Sequence, residues 1–419
     1  MFDPIKASKE IKDSYIDYIT TTFDMADTDY EREFRKELQT DGMVASGPFL
    51  DIGGSYETGH TLRELIQAQK ASVLFERLEP VAEKERELKL DRPLYQHQET
   101  AMLKADKGEN LVVTTGTGSG KTESFLLPII NHLLREQEAG TLSAGVRAII
   151  IYPMNALAND QMKRMRALFK NYPQICYGVY NGNTEHTQSK ALAEYHRTYH
   201  DEAEEPIDPA PNEIISREVM QERPPHILIT NYSMLEYMML RPKDDAVFSG
   251  AKLKFIVLDE AHIYKGATGM ETSLLMRRLR ARISEPDSVQ YILTSATLGG
   301  PDADGDILSF AEKLCGVAFQ RSGIIRSTEK RPAMEDFLDF APALFEELQR
   351  SPDISSALAR YHADFAPGGS EGEKLYALFL HSRLFALLRK VAHQPITVAQ
   401  LRQALSEICP MTNEQVISF

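Results

Sequence analysis

Thr115-Gly116-Thr117-Gly118-Ser119-Gly120-Lys121-Thr122 follows the β-prone run Leu111-Val112-Val113-Thr114. A strand, a glycine-rich turn and a helix opening on Lys and Thr make a phosphate cradle. The turn's N–H groups face the anion, Lys reaches the β- and γ-oxygens, and the Thr hydroxyl joins a Mg²⁺ shell. Gly116, Thr117, Gly118, Ser119, Gly120, Lys121 and Thr122 are therefore the expected nucleotide-binding residues. One such match is weak alone. It gains weight from a later run, Val257-Leu258, that ends in Asp259-Glu260-Ala261-His262. Asp259, with Thr122, is expected to hold Mg²⁺, and Glu260 to polarise the water that attacks ATP. Lys121, Asp259, Glu260 and His262 form the expected catalytic set, with His262 relaying between the acidic pair and Ser295 or Thr297.

Outward from these two segments, short apolar runs alternate with stretches of helical length. The candidate strands are Leu111–Thr114, Arg147–Tyr152, Gln174–Tyr180, His226–Thr230, Phe255–Leu258 and Tyr291–Thr294. Their β-branched content and spacing predict an α/β fold, a mostly parallel sheet with helices on both faces. In such sheets the functional groups gather at the carboxyl ends of the strands. Ser295-Ala296-Thr297 follows one and supplies hydroxyls suited to coupling. Upstream, Tyr95-Gln96-His97-Gln98 offers a carboxamide at Gln98 that could read adenine, with Tyr95 or Arg92 to stack on the base. Pro153 and Asn155 with Gln161 and Lys163, Asn181 with Gly182, and Thr230 and Asn231 with Ser233 are candidate contacts to a nucleic-acid backbone. The asparagines could equally be turn formers.

The 419 residues, 42% hydrophobic and 26% charged, fit a soluble globular chain of two domains with extensions. A net charge of −14 excludes a generic polycation that coats nucleic acid, though not a local basic track. Cys176, Cys315 and Cys409 form no metal or disulfide pattern, so a reducing, cytoplasmic compartment is expected. No 18-residue apolar run occurs, and the first residues lack a signal-peptide pattern; neither secretion nor a membrane span is expected. The expected organisation is a mostly helical extension over 1–90, the α/β domain over 91–330, and a helical region over 331–419, either a bundle or the start of a winged-helix-like unit. Residues 184–223 read as a partly flexible acidic insertion, since 201–225 holds eight acidic residues against two arginines. Arg277-Arg278-Leu279-Arg280-Ala281-Arg282 is a basic patch that suits a solvated helix face, a domain interface or nucleic acid.

As a set, these motifs resemble the first motor domain of a superfamily 2 nucleic-acid helicase of the DEAD/DEAH type. Tyr152-Pro153-Met154-Asn155-Ala156-Leu157-Ala158 resembles its first strand-contact motif and Thr230-Asn231-Tyr232-Ser233-Met234-Leu235 its second. The resemblance implies a RecA-like P-loop NTPase fold, ATP and Mg²⁺ as cofactors, and nucleic acid as track. The Asn-Ala-Leu-Ala form, and the continuation Ile263-Tyr264-Lys265-Gly266, look closest to the YprA-like and Lhr-like branch, which includes large helicases of anti-phage systems such as DISARM and Druantia. That branch implies 3′-to-5′ movement on DNA, single-stranded or a tailed duplex, and a possible defence-system partner. The family also needs a second RecA-like lobe, and no second strand-rich layer follows Thr297. The chain is thus expected to be part of a motor, its second lobe lying in a longer chain or in a partner. The competing expectation is a nucleotide-dependent clamp that does not translocate; a strand-displacement assay separates the two.

Overall fold

The computed structural model describes residues 4–23, 25–40, 42–50, 55–78, 88–116, 118–200, 205–299, 301–330, 338–350, 353–392 and 395–405. They fall into two compact units, one of residues 56–329, the other of residues 1–55 with 330–419.

The larger unit is built on eight strands: β1 (Leu111–Thr114), β2 (Ala148–Ile151), β3 (Tyr177–Tyr180), β4 (Glu213–Ile214), β5 (Ile227–Thr230), β6 (Phe255–Leu258), β7 (Gln290–Ser295) and β8 (Ile324–Arg326). Every neighbouring pair is parallel, and the spatial order is β8-β1-β7-β6-β2-β5-β3-β4. Runs such as Ala-Ile-Ile-Ile and Phe-Ile-Val-Leu are apolar at every position because helices cover both faces. Alternation assigns Val113, Ile150 and Val257 to one core, and Val112, Ile149 and Ile256 to the other. The helices that matter below are α1 (Gln96–Asp106), α2 (Lys121–Glu138), α3 (Asn155–Phe169), α4 (Gln188–Thr198), α5 (Arg217–Glu222), α6 (Tyr232–Leu240), α7 (Gly266–Arg282) and α8 (Asp304–Cys315).

Two features differ from expectation. Residues 56–78 lie in the α/β unit: Leu62, Leu65, Phe75 and Leu78 enter its core from a short helix, Leu62–Gln67, and a tight turn, Val73–Arg77. The acidic stretch 184–223 carries α4, β4 and α5, with 201–204 outside the described residues. A charged cluster anchors it. The Arg166 guanidinium makes a two-pronged bond to the buried Glu213 carboxylate at 2.7 and 2.8 Å, and lies over the Tyr199 ring at 4.2 Å. The basic patch on α7 lies on a solvated helix face, one of the readings its sequence offered, with Arg277, Arg278 and Arg282 exposed: Arg278 pairs with Glu236, Arg280 with Asp287 and Arg282 with Asp245, and Arg277 donates to the Lys313 carbonyl.

In the second unit, helices Pro4–Thr22 and Thr28–Gln39 precede a short strand, Phe49–Leu50, that pairs antiparallel with Ile396–Thr397. Helices Glu371–His381 and Arg383–Val391 are separate because buried Ser382 leaves the first and caps the second through Phe385 N–H. Leu344, Leu358, Leu378, Leu384 and Leu401 form its core.

Burial holds the imidazoles of His97, His132 and His226 below the histidine value of 6.5. These rings stay neutral in the fold while the unfolded chain takes up protons below that pH, so the native state loses stability as pH falls through it. Burial raises the Asp259 carboxyl, which acts in the opposite sense, but it is one group against three. A Tm lower at about pH 5.5 than at about pH 7.5 is expected by calorimetry; equal values would contradict it.

Candidate functional site

Parallel strands bring every carboxyl end to one edge, and the strand order arranges the motifs along it. The glycine-rich loop follows β1, Ser295 ends β7, Asp259 follows β6, Pro153 lies just past β2, Asn231 follows β5 and Asn181 follows β3. Nucleotide chemistry therefore sits at one end of the edge and the candidate strand contacts at the other, with Asp259 between them.

The loop is braced from below. Gly118 and Gly120 both have φ of 71°, and a Cβ on Gly120 would lie 2.3 Å from Gln98 Nε2, so only glycine fits there. The fully buried Ser119 hydroxyl lies 2.7 Å from Thr115 Oγ1 and 2.8 Å from the Gly116 carbonyl. His97 Nε2 meets the Ser119 carbonyl at 2.9 Å, and Thr115 N–H donates to the Ser295 carbonyl at 3.2 Å, tying the loop to β7. Thr117 lies outside the described residues.

Lys121 opens α2 and donates to Glu260 Oε1 at 3.1 Å. Glu260 adopts a left-handed backbone, φ 48° and ψ 48°, which costs a non-glycine residue about 1–2 kcal/mol and turns its carboxylate toward the loop. Its Oε2 lies 3.3 Å from His262 Nδ1, which lies 3.1 Å from Ser295 Oγ, and Ser295 Oγ accepts from Thr297 N–H at 3.1 Å. One polar chain thus runs from Lys121 through Glu260 and His262 to Ser295 and Thr297. Asp259 accepts a hydroxyl bond from Thr294. Burial pushes its carboxyl up; the Thr294 bond and the Lys121 charge oppose that. The hydroxyls of Tyr152 and Tyr264 are buried without a hydrogen-bond partner, and both phenols feel the Asp259 charge. A glycine cradle, an ammonium, the Thr122 hydroxyl and a buried carboxylate with unspent hydroxyls nearby are a donor set that fits a Mg²⁺-bound triphosphate.

Beside the loop lies a cleft of about 420 Å³ lined by Arg92, Tyr95, Gln98, Gly120 and Glu123. The Tyr95 ring stacks on His97 at 5.6 Å, with Tyr56 edge-on at 5.5 Å. Gln98 spends both ends of its carboxamide internally: Oε1 accepts from Tyr95 N–H and Nε2 donates to the Gly120 carbonyl, each at 3.0 Å. It holds the loop in shape through these two bonds, which use one of its two N–H donors and one of its oxygen's two lone pairs.

At the other end of the edge, Asn231 Nδ2 donates to Asn155 Oδ1 at 2.9 Å, while Asn231 Oδ1 caps α6 by accepting from Met234 N–H at 2.7 Å. Lys163, Gly182 and Ser233 are exposed, and Pro153 and Asn155 half-buried. Two candidates turn inward instead. Thr230 is 1% exposed and donates to the Tyr180 carbonyl, and Asn181, 2% exposed, accepts from Asn183 N–H as a turn former does. Gln161 has its amide oxygen buried without a partner. Asn231→Ala removes both a helix cap and the Asn155 bond, so a loss of about 1–2 kcal/mol is expected in urea unfolding. An unchanged midpoint would show that neither bond contributes.

Sequence reading passed over Tyr56, His97, Glu123 and Thr294. His97 lay inside the quoted Tyr95–Gln98 segment, and Glu123 directly after Thr122, so both were within sight. Tyr56 carried no local signal, because only tertiary packing brings it to the loop.

Residues 95–203 and 207–304 match the family model described as DEAD/DEAH box helicase. The chain carries a DEAD/DEAH box helicase domain. The chain is 32% identical, over 413 residues, to Druantia protein DruE of Escherichia coli (strain UMEA 4076-1), covering 77% of this chain and 22% of that protein. To the uncharacterized ATP-dependent helicase YprA of Bacillus subtilis (strain 168) it is 30% identical over 219 residues, covering 52% and 24%. The chain thus spans less than a quarter of the length of these relatives. Among solved structures, the helicase MrfA bound to DNA is similar at 20% identity and a TM-score of 0.46, over 76% of this chain and 36% of that one. The helicase domain has the RecA-like α/β fold, with its parallel sheet between helices. No helix among the described residues is long and apolar enough to cross a membrane.

Proposed function

We propose that this helicase domain is the nucleotide-binding lobe of an ATP-driven DNA helicase or translocase. The observation that carries the reading is the unbroken polar chain from Lys121 through Glu260 and His262 to Ser295, on the same sheet edge as Asn155 and Asn231. Main-chain N–H groups of Gly116–Thr122 cradle the phosphates, and Thr122 with Asp259 holds Mg²⁺, which supplies charge neutralisation when bound. The Lys121–Glu260 pair has a natural exchange built in. The triphosphate competes for the ammonium, and the released Glu260 carboxylate is then free to polarise water. His262 and Ser295 report that exchange to Thr297, where a second RecA-like lobe closes the site from the same longer chain or from a partner.

DNA as track, 3′-to-5′ movement and a role in anti-phage defence, with a defence-system protein as partner, belong to this reading. They are what the motif resemblance to the YprA-like and Lhr-like branch implies, and the similarity to Druantia protein DruE bears on the defence reading alone. The test is ATP hydrolysis by the complete protein that carries this chain, with and without saturating single-stranded DNA. Stimulation by DNA is expected. An identical rate in both conditions would overturn the proposal.

A further inference from the structure

Helix α3 touches both ends of the strand edge. Its first residue, Asn155, is fastened to Asn231 at the candidate strand contacts. Nine residues on, a helical rise of about 13 Å, the Arg164 guanidinium is ion-paired with the Glu123 carboxylate. Glu123 directly follows Thr122 in the first turn of α2, and its side chain also lines the cleft beside the loop. The pair is four-fifths buried on both sides, 20% and 18% exposed, so its Coulomb attraction is little screened by solvent.

The surroundings of this pair hold several buried polar atoms without partners. Glu123 Oε2 is buried without a hydrogen-bond partner, and so is Gln161 Oε1, one turn before Arg164 on the same face of α3. The Tyr152 hydroxyl is likewise unpartnered, and its phenol feels both the Asp259 and the Arg164 charges. Native interiors satisfy nearly all buried polar atoms, so these groups are open to further partners. A guanidinium, with five donors in a fixed fork, can re-pair with a second acceptor while keeping its charge near the first.

We propose that Arg164 is a positioning residue that couples nucleotide state to nucleic-acid grip, by carrying movement of α3 to Glu123 and so to the Lys121–Thr122 turn. The inference rests on the function proposed above. It assigns to one ion pair the coupling that the edge of the sheet only makes possible. A strand engaging Asn155 shifts α3, and the Arg164–Glu123 bond moves the first turn of α2 with it. In the reverse direction, a triphosphate settling on that turn resets α3. A merely structural pair would fasten α3 to α2 and alter stability alone.

The test uses the complete protein, a fluorescein-labelled single-stranded oligonucleotide, and anisotropy measured with and without AMP-PNP and Mg²⁺. In the unmodified protein the nucleotide analogue is expected to change the DNA Kd by about 5–150-fold, the usual range of coupling between sites. In Arg164→Gln that change is expected to shrink to within about 2-fold, while the Kd of each ligand measured alone stays within about 3-fold. Arg164→Gln with Glu123→Gln removes the unpaired carboxylate and is expected to show the same loss of coupling if the single variant folds poorly; because Glu123 lines the nucleotide cleft, its nucleotide Kd is free to shift. The charge swap Arg164→Glu with Glu123→Arg is expected to restore part of the coupling. Full coupling retained in a folded Arg164→Gln or double-glutamine variant overturns the relay alone. No nucleotide effect on DNA binding in the unmodified protein overturns the relay and the proposed function together.

Discussion

Lys121→Ala is expected to lower DNA-stimulated ATP hydrolysis of the complete protein by about 10²–10³-fold, the scale of removing one preorganised charge from a transition state. The ammonium is 12% exposed and sits against Glu260, so no solvent cation can take its place at that distance. Its loss acts twice. The γ-phosphate is left without its positive partner as charge develops, and Glu260 keeps only the His262 imidazole as partner while the nearby Asp259 charge opposes it. Steady-state phosphate release, compared with and without DNA, reads the effect. A variant within about tenfold of the unmodified rate would remove Lys121 from the chemistry.

Glu136→Ala is expected to destabilise the α/β unit by about 3–5 kcal/mol, the cost of stripping one partner from a buried ion pair. Arg147, just before β2, is fully buried, and its Nε donates to Glu136 Oε2 at 2.9 Å. The remaining guanidinium donors go to the Gly145 carbonyl at 2.8 Å and to Ser143 at 3.0 Å, so no second carboxylate replaces Glu136. Arg147→Met removes the buried charge itself and leaves a partly solvated carboxylate; it is expected to cost clearly less. Urea unfolding followed by circular dichroism ranks the two, and a milder effect for Glu136→Ala would refute the argument.

The sheet was legible because its strands are buried on both faces. Leu111–Thr114 and Phe255–Leu258 begin and end where their apolar runs do. The run Gln174–Tyr180 shrank to Tyr177–Tyr180 because only the last four residues find partners on β5. β4 and β8 were invisible: two or three residues long, they are strands only because β3 and β1 offer them hydrogen bonds. In the site, residues tied to glycine geometry or to a charged motif could be read from spacing. Whether a polar side chain faced in or out could not. Thr230 and Asn231 are neighbours, yet one is sealed under the Tyr180 carbonyl and the other joins two helix starts. Thr230 is the last residue of β5 and Asn231 the cap of α6, so the boundary between strand and helix decides that, and spacing alone did not fix it.

β8 also fixes where this unit can be cut for expression. It covers the outer edge of β1, pairing Ile324 with Val112 and Arg326 with Thr114, although it lies far beyond the last motif residue, Thr297. On the amino-terminal side Glu57 N–H bonds to the Thr328 carbonyl, and Phe75 fills the core long before Tyr95. A piece trimmed to the motifs, Tyr95 to Thr297, would bare a four-residue apolar edge ready to pair with another molecule. The span that keeps that edge covered is Tyr56–Glu329, a boundary drawn by packing and invisible to the motifs.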